Sequence, residues 1–175
     1  MPTIFTRGAA SARGFGLFGA VAGGAPGLWS WGNNSTGALG LGNITNYSVP
    51  KQVGSLITWA TLTGGNLFSL VTKSDGTMWS WGQNNYGQLG LGNTTDYSSP
   101  KQIGALTTWF KVSGGGYSAF AIKTYGTLWS WGSAYQGRLG LGNTTAYSSP
   151  KQVGALTTWS EVAALSGGVG LAIQT

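Results

Sequence analysis

Side chains that could perform acid–base or nucleophilic chemistry are scarce in this sequence. Its 175 residues include three acids, Asp75, Asp96 and Glu161, and neither His nor Cys. This composition excludes disulfides, thiolate chemistry, Ser-His-Asp and Cys-His arrangements and the usual zinc sites. We predict no catalytic residue, no cofactor and no metal site, and we expect that the protein is not an enzyme.

A repeat of 50 residues organises most of the chain. The segment LWSWG at residues 28–32 returns as MWSWG and LWSWG, which places Trp29, Trp79 and Trp129 at intervals of 50 residues. A fixed period of this length indicates a solenoid or a propeller. No position keeps an acid in two repeats, as Asp75 corresponds to Tyr125, so the acids do not form a repeated catalytic site.

Apolar residues alternate with polar ones inside each repeat, which is typical of half-buried strands. WSWG, PKQVG, TWATLTGG and LFSLVTKS are four such segments, and SDGT at residues 74–77 is a hairpin signal. Four short strands per repeat predict a propeller blade.

We therefore predict an all-β fold of three four-stranded antiparallel blades that form an incomplete ring. Residues 1–27 are predicted to be an extended Gly/Ala-rich N-terminal arm, and residues 28–175 a repeat domain with units 28–77, 78–127 and 128–175.

The repeat resembles a known family. Residues 81–92 read WGQNNYGQLGLG and are followed by Pro100, with matching segments in the other two repeats. This pattern resembles the regulator of chromosome condensation repeat, with its W-G-x-N-x-x-G-Q-L-G-L-G signature followed by Pro. The resemblance covers residues 28–175 and implies a β-propeller. Family members usually close a ring of seven blades, whereas this sequence predicts three.

Blade arrays need covered ends, because one blade cannot bury both of its faces. The last repeat reaches its fourth strand at residues 171–175, and the first opens with the LWSWG strand. A final strand could then pair beside an opening strand, either its own or a neighbour's. We predict a homo-oligomer.

Nine tryptophans allow two interpretations. Indole faces stack on sugars and cations, but recurrence at fixed repeat positions is what packing between blades requires, and we favour packing. The residues assigned to packing are Trp29, Trp31, Trp59, Trp79, Trp81, Trp109, Trp129, Trp131 and Trp159.

Positions that vary between otherwise identical repeats are the candidate binding loops. They follow the WSWG strands, where variation inside a constant frame indicates exposed loops. The candidates are Asn34, Asn85, Tyr86, Tyr135 and Gln136.

Charged residues make up only 7% of the chain, against roughly 25% in ordinary soluble domains. The net charge is +6, and Lys51, Lys101 and Lys151 recur in every repeat. They would form either a ring of positive charge or, as we favour, solvated loop lysines. We expect no nucleic-acid binding.

The arm is predicted to anchor the protein. Its apolar stretch, residues 14–27, is too short and glycine-rich to span a bilayer. The arm resembles N-terminal segments of phage tail and fibre proteins, which implies a docking peptide. The anchor residues are predicted to be Arg7, Arg13, Phe15, Leu17 and Phe18.

The leading hypothesis is a phage virion structural protein, located in the particle, that docks by its arm and presents the propeller to other virion proteins or to a host receptor or glycan. The alternatives are a general protein-binding propeller module, of the chromatin-binding, exchange-factor or inhibitor kind, and a lectin.

Overall fold

The computed structural model describes residues 15–17, 27–55 and 58–175, and these form antiparallel β-strands joined by turns and loops. The strands are β1 (Phe15–Leu17), β2 (Trp29–Gly32), β3 (Tyr47–Gln52), β4 (Trp59–Gly64), β5 (Phe68–Lys73), β6 (Met78–Gly82), β7 (Tyr97–Gln102), β8 (Trp109–Gly115), β9 (Ser118–Lys123), β10 (Leu128–Gly132), β11 (Tyr147–Gln152), β12 (Trp159–Ala164) and β13 (Gly170–Gln174). One 3-10 turn, η1 (Tyr135–Gly137), precedes β11.

The strands form two complete and two incomplete blades. β4-β5-β6-β7 and β8-β9-β10-β11 are four-stranded sheets, β1-β2-β3 is three-stranded, and β12-β13 is a pair. The all-β class, the antiparallel four-stranded blades and the incomplete ring are confirmed.

Blade boundaries differ from repeat boundaries by half a repeat. β5 and β6 belong to successive repeats, yet they pair directly through a tight turn at residues 74–77, with the Lys73 N–H donating to the Thr77 carbonyl at 2.9 Å. The same arrangement joins β9 to β10. Because this turn is a tight hairpin connection, it keeps the WSWG strand beside the strand that precedes it.

The blades follow one another in chain order around an axis. β4 contacts β8, and β8 contacts β12, so these are the innermost strands of successive blades. β3, β7 and β11 are the outermost strands. β5 and β9 lie between strand neighbours inside their sheets, which explains why all six residues of each are buried.

A tryptophan links each complete blade to the loop of the preceding one. The Trp81 indole N–H donates to the Ala38 carbonyl at 2.9 Å, and Trp131 donates to the Gln88 carbonyl at 3.0 Å. Both indoles are fully buried. The glycine two residues after each carbonyl has a positive φ, and a Cβ on Gly40 or Gly90 would lie 2.7 Å from the indole nitrogen.

The hydrophobic core is divided between the blade interfaces. The largest buried cluster includes Phe68, Leu70 and Met78 from one blade and Trp109 and Trp131 from the next. Smaller clusters join residues of the first and second blades and of the third and fourth. Among the residues described, no helix is long and apolar enough to cross a membrane.

The Gly90 contact leads to a prediction about stability. Gly90→Ala should destabilise the protein through the left-handed backbone, about 1–2 kcal/mol, and through overpacking against Trp131, about 1–3 kcal/mol more. Gly140 has the same place in the motif and a similar φ of +67°, but its nearest neighbour to a new Cβ is Val153 at 3.6 Å. Gly140→Ala should therefore lower the free energy of unfolding only by the cost of the left-handed backbone, about 1–2 kcal/mol. Chemical denaturation followed by circular dichroism measures both, and equal losses would contradict the proposed clash.

Candidate functional site

Two sets of loops meet at one end of the blades, which we call the loop face. It comprises the segments after the WSWG strands, residues 33–36, 83–86 and 133–138, and the turns between the first two strands of each blade, residues 65–67, 116–117 and 165–169. Hydrogen bonds connect the two sets: Thr36 Oγ1 donates to the Leu67 carbonyl at 3.1 Å, and the Ser133 N–H donates to the Tyr117 carbonyl at 2.9 Å.

Asn34 is buried, so its assignment to an exposed binding loop was wrong. Its Oδ1 accepts the Leu39 N–H at 2.8 Å, and its Nδ2 donates to the Asn43 carbonyl at 2.9 Å. Asn84 makes the equivalent bonds in the next repeat, to Leu89 and Asn93. An asparagine at this position closes the glycine-rich loop from inside, and its burial depends on a loop that folds back over it.

The third repeat has Ala134 at the asparagine position, and its loop differs. η1 forms there, and Gln136 has a φ of +58°, in the left-handed region. Leu67 is the other non-glycine residue of the described chain with a positive φ, and it also lies on the loop face. Left-handed residues of this kind are uncommon and concentrate at functional sites.

Exposed aromatic and amide side chains cover the loop face. Tyr86 is 48% exposed and Tyr135 is 65% exposed, and Asn85 and Gln136 are exposed beside them. The structure therefore places four of the five loop candidates on one surface.

Three further residues of the loop face were not predicted from the sequence. Tyr117 lies with its ring 5.1 Å from that of Tyr86, and its hydroxyl accepts the Asn66 side-chain N–H at 2.7 Å. Arg138 donates to the Tyr135 carbonyl at 3.0 Å and extends to the β12–β13 turn at Gly168. Comparison of the repeats could have found Arg138, which corresponds to Ala38 and Gln88.

The opposite end of the blades holds the turns at residues 74–77 and 124–127, and we call it the turn face. It carries two equivalent grooves of about 340 Å³ each. Lys73 lies in the first groove with its ammonium 3.7 Å from the Trp79 ring centroid and 4.9 Å from that of Trp59. Lys123 lies between Trp129 and Trp109 in the same way. The chain's own lysine fills the aromatic cage, and the paired indoles meet edge to face at 6.3 Å and 6.1 Å.

All nine tryptophans are buried or half-buried. Trp81 and Trp131 are fully buried, Trp109 is 4% exposed, and the other six are half-buried. The indole nitrogens of Trp29, Trp59, Trp109 and Trp159 are buried and have no hydrogen-bond partner.

Two exposed groups beside the grooves have lowered pKa values. The hydroxyl and backbone N–H of Thr77 donate to Asp75 and hold the pKa of that carboxyl below its usual range. In the next repeat the Lys123 ammonium lowers the pKa of the Tyr125 hydroxyl by stabilising the phenolate.

The recurring lysines lie on outermost strands and not in loops. Lys51, Lys101 and Lys151 are exposed on β3, β7 and β11, each 5.3–5.4 Å from a tyrosine ring of its own strand. Solvated lysines on edge strands discourage pairing with other chains. The lysines are solvated as expected, but their location in loops was wrong.

Each of the three acids has a structural partner. Asp75 binds Thr77, Asp96 accepts the Asn84 backbone N–H at 2.6 Å, and Glu161 forms an ion pair with Lys111. The described residues contain no group of three His, Cys, Asp or Glu side chains arranged to hold a metal.

The predicted anchor lies mainly outside the described residues. Arg7, Arg13 and Phe18 belong to that part of the chain, whereas Phe15 and Leu17 lie in β1, whose backbone pairs with β2.

These features define a repeat protein with propeller-type blades. Models of the regulator of chromosome condensation (RCC1) repeat match residues 27–71, 75–122 and 125–170, and a second model of the repeat matches residues 60–88. The chain belongs to the RCC1 repeat family. The matches begin at residue 27, and nothing in them indicates a phage virion protein.

Solved structures share the fold. Human WBSCR16 is 24% identical, with a TM-score of 0.67 over 79% of this chain. Saccharomyces cerevisiae Prp20p, described with its binding properties to Gsp1p and histones, is 19% identical, with a TM-score of 0.72 over 85% of this chain. Yeast RCC1 (Prp20), in a structure with Kap60 bound, is 19% identical, with a TM-score of 0.70 over 85% of this chain. This chain spans 38–40% of the length of these structures. No curated protein matches it.

The buried asparagine leads to a second prediction. Asn84→Ala should destabilise the protein by about 1–3 kcal/mol, because it leaves the buried Leu89 N–H without a partner. The exposed neighbour provides the control, and Asn85→Ala should change stability by less than about 0.5 kcal/mol. Thermal and urea denaturation measure the difference, and equal effects would show that Asn84 does not hold the loop.

Proposed function

We propose that this chain is a non-catalytic protein-binding propeller module whose binding surface is the loop face. One observation carries the proposal: loops that vary between the repeats converge on one surface with exposed tyrosines, while the frame beneath them stays constant.

The composition of the loop face supports a protein partner. Tyrosine, asparagine, serine and glycine dominate residues 33–37, 83–87 and 133–137. These residues also dominate antibody loops, where tyrosine gives a large contact area at low entropic cost and the others give adaptable hydrogen bonds. Tyrosine and arginine are enriched among residues that dominate binding energy, and Tyr86, Tyr135 and Arg138 supply both types.

Charge restricts the partner's chemistry. Arg138 is the ionisable cation of the loop face, and the whole chain carries a net charge of +6. A strongly basic partner such as a histone would be repelled, so we propose a neutral or acidic protein surface.

The lack of catalysis is part of the proposal. It is supported by the structural partners of all three acids, each of which belongs to a different repeat. The arm's role in a virion is not part of it, because the observations that support the proposal come from residues 27–175.

The first test of the loop face uses two tyrosine variants. Capture from an extract of the native cells identifies a partner, which is then purified and titrated against the full chain. A Tyr86→Ala, Tyr135→Ala double variant should weaken binding at least about tenfold, since truncation of aromatic residues that dominate an interface costs more than about 1 kcal/mol.

The control for this test is Tyr125→Ala. Tyr125 is 51% exposed, close to the 48% of Tyr86, but lies on the turn face, so binding should be unchanged. Equal affinity of wild type and double variant would refute the loop face as the binding surface. Glycan-array binding that the double variant abolishes would favour the lectin alternative instead.

A further inference from the structure

Two lysine side chains are buried in the grooves of the turn face. Lys73, in the first groove, is 9% exposed, and Lys123, in the second groove, is 3% exposed. Each ammonium lies against two indole rings of its groove. A buried ammonium loses much of its water shell, and proteins ordinarily compensate that loss with a carboxylate. The two grooves differ in whether the chain supplies one.

The first groove has a carboxylate beside its lysine. Asp75 follows Lys73 by two residues, in the tight turn at residues 74–77. Hydrogen bonds from Thr77, and in addition the positive charge of Lys73, lower the pKa of the Asp75 carboxyl. The ammonium and the carboxylate therefore stabilise each other, and Lys73 has a counter-charge on its own turn.

The second groove has an aromatic ring in the place of that carboxylate, because Tyr125 corresponds to Asp75. The Tyr125 ring centroid is 5.7 Å from the Lys123 ammonium, which also lies 3.7 Å from the Trp129 ring centroid and 4.8 Å from that of Trp109. Three aromatic rings therefore surround this ammonium, and the turn beside it adds no negative charge.

The other acids of the chain have partners of their own. Asp96 accepts the Asn84 backbone N–H, and Glu161 forms an ion pair with Lys111. The residues that line the second groove all belong to the described part of the chain, and none of them is an acid. Lys123 is therefore a buried ammonium to which the described chain supplies no carboxylate.

The wall and rim of the second groove indicate what kind of ligand would fit it. The indole N–H of Trp109, in the wall, is buried and has no hydrogen-bond partner, so an acceptor atom is needed there. Leu106 lines the groove and is 48% exposed, and Tyr125, beside Lys123, is 51% exposed. This exposed apolar surface extends the contact beyond the ammonium, which favours a ligand longer than a small acid.

We propose that the second groove binds a carboxylate side chain of a partner peptide, which gives Lys123 the counter-charge that Asp75 gives Lys73. The carboxylate contacts the Lys123 ammonium, and the apolar neighbours of the acidic residue in the peptide pack on Leu106 and Tyr125. The net charge of +6 favours an acidic segment over a neutral or basic one.

An NMR titration of the full, isotopically labelled chain tests the ligand. The probe is the peptide Ala-Leu-Glu-Leu-Ala, blocked at both ends, and it should shift the indole N–H signals of Trp109 and Trp129 saturably. The same peptide with glutamine in place of glutamate should bind at least about tenfold more weakly, because it cannot form a charge-assisted hydrogen bond. Equal affinity for the two peptides would overturn the proposal.

Tyr125→Asp gives the second groove the turn residue of the first. The two turns have the same backbone hydrogen bond, from Lys73 to Thr77 at 2.9 Å and from Lys123 to Thr127 at 3.0 Å, so the substituted turn should fold. Because the new carboxylate competes for Lys123, the variant should bind the glutamate peptide at least about tenfold more weakly than the wild type. Wild-type affinity in this variant would contradict the proposed role of the counter-charge.

Asp75→Tyr is the reciprocal exchange. It removes the counter-charge of Lys73 and should create a second site, seen as saturable shifts of the Trp59 and Trp79 indole signals. A variant that keeps the Trp109 response and gains no response in the first groove would show that the turn residue does not decide binding, and would overturn the proposal.

A matched pair of lysine variants tests the ammonium itself. Lys123→Gln should abolish the response to the glutamate peptide, whereas Lys73→Gln, the same change in the other groove, should leave it unchanged. Equal responses in the two variants would sink the assignment to Lys123. Saturable binding of phenylacetate to the Trp109 signal, with no binding of the peptide, would overturn the assignment to a peptide segment.

Discussion

A single hydrogen bond, from a buried indole to the loop of the preceding blade, sets the spacing of this protein. Trp81 and Trp131 are enclosed, and each donates to a main-chain carbonyl that is itself inside the interface. An unpaired indole N–H there would incur a desolvation penalty of about 1–3 kcal/mol, so the two blades must approach until the bond forms. That approach is what requires glycine at residues 40 and 90 and fills the core between the sheets.

Once the blades are fixed in this way, their two ends are free to differ. On the turn face, Lys73 and Lys123 are each held between two indole rings. On the loop face, side chains that vary between the repeats project from a constant frame. Asn34 and Asn84 close the first two loops from inside. Ala134 cannot, and the third loop adopts a 3-10 turn with a left-handed glutamine. A constant frame with changeable loops is the arrangement by which one fold serves many partners.

The outermost strands carry residues that deter pairing with other chains. Outer strands carry proline and lysine, which deter pairing, and they lie where every blade meets solvent. The strand β13 carries neither residue. The strand β1 pairs with β2 in the place that β5 and β9 hold in the complete blades.

The sequence by itself determined the period, the strands and the family. Three local patterns were sufficient: the alternation around Trp79 and Trp129, the turn at Asp75-Gly76 and the glycine-rich signature. Such patterns can be recognised from neighbouring residues without knowledge of the fold. Loop comparison also found Tyr86, Tyr135 and Gln136. Only the tertiary structure decided the rest, because it depends on which neighbour a segment meets. The half-repeat offset of the blades follows from pairing across a repeat boundary. The burial of Asn34 follows from a loop folding over it, and the meeting of Tyr86 with Tyr117 joins residues from different strands. The burial of Lys73 follows from its packing between Trp59 and Trp79, since burial is a property of the contacts and not of the residue type.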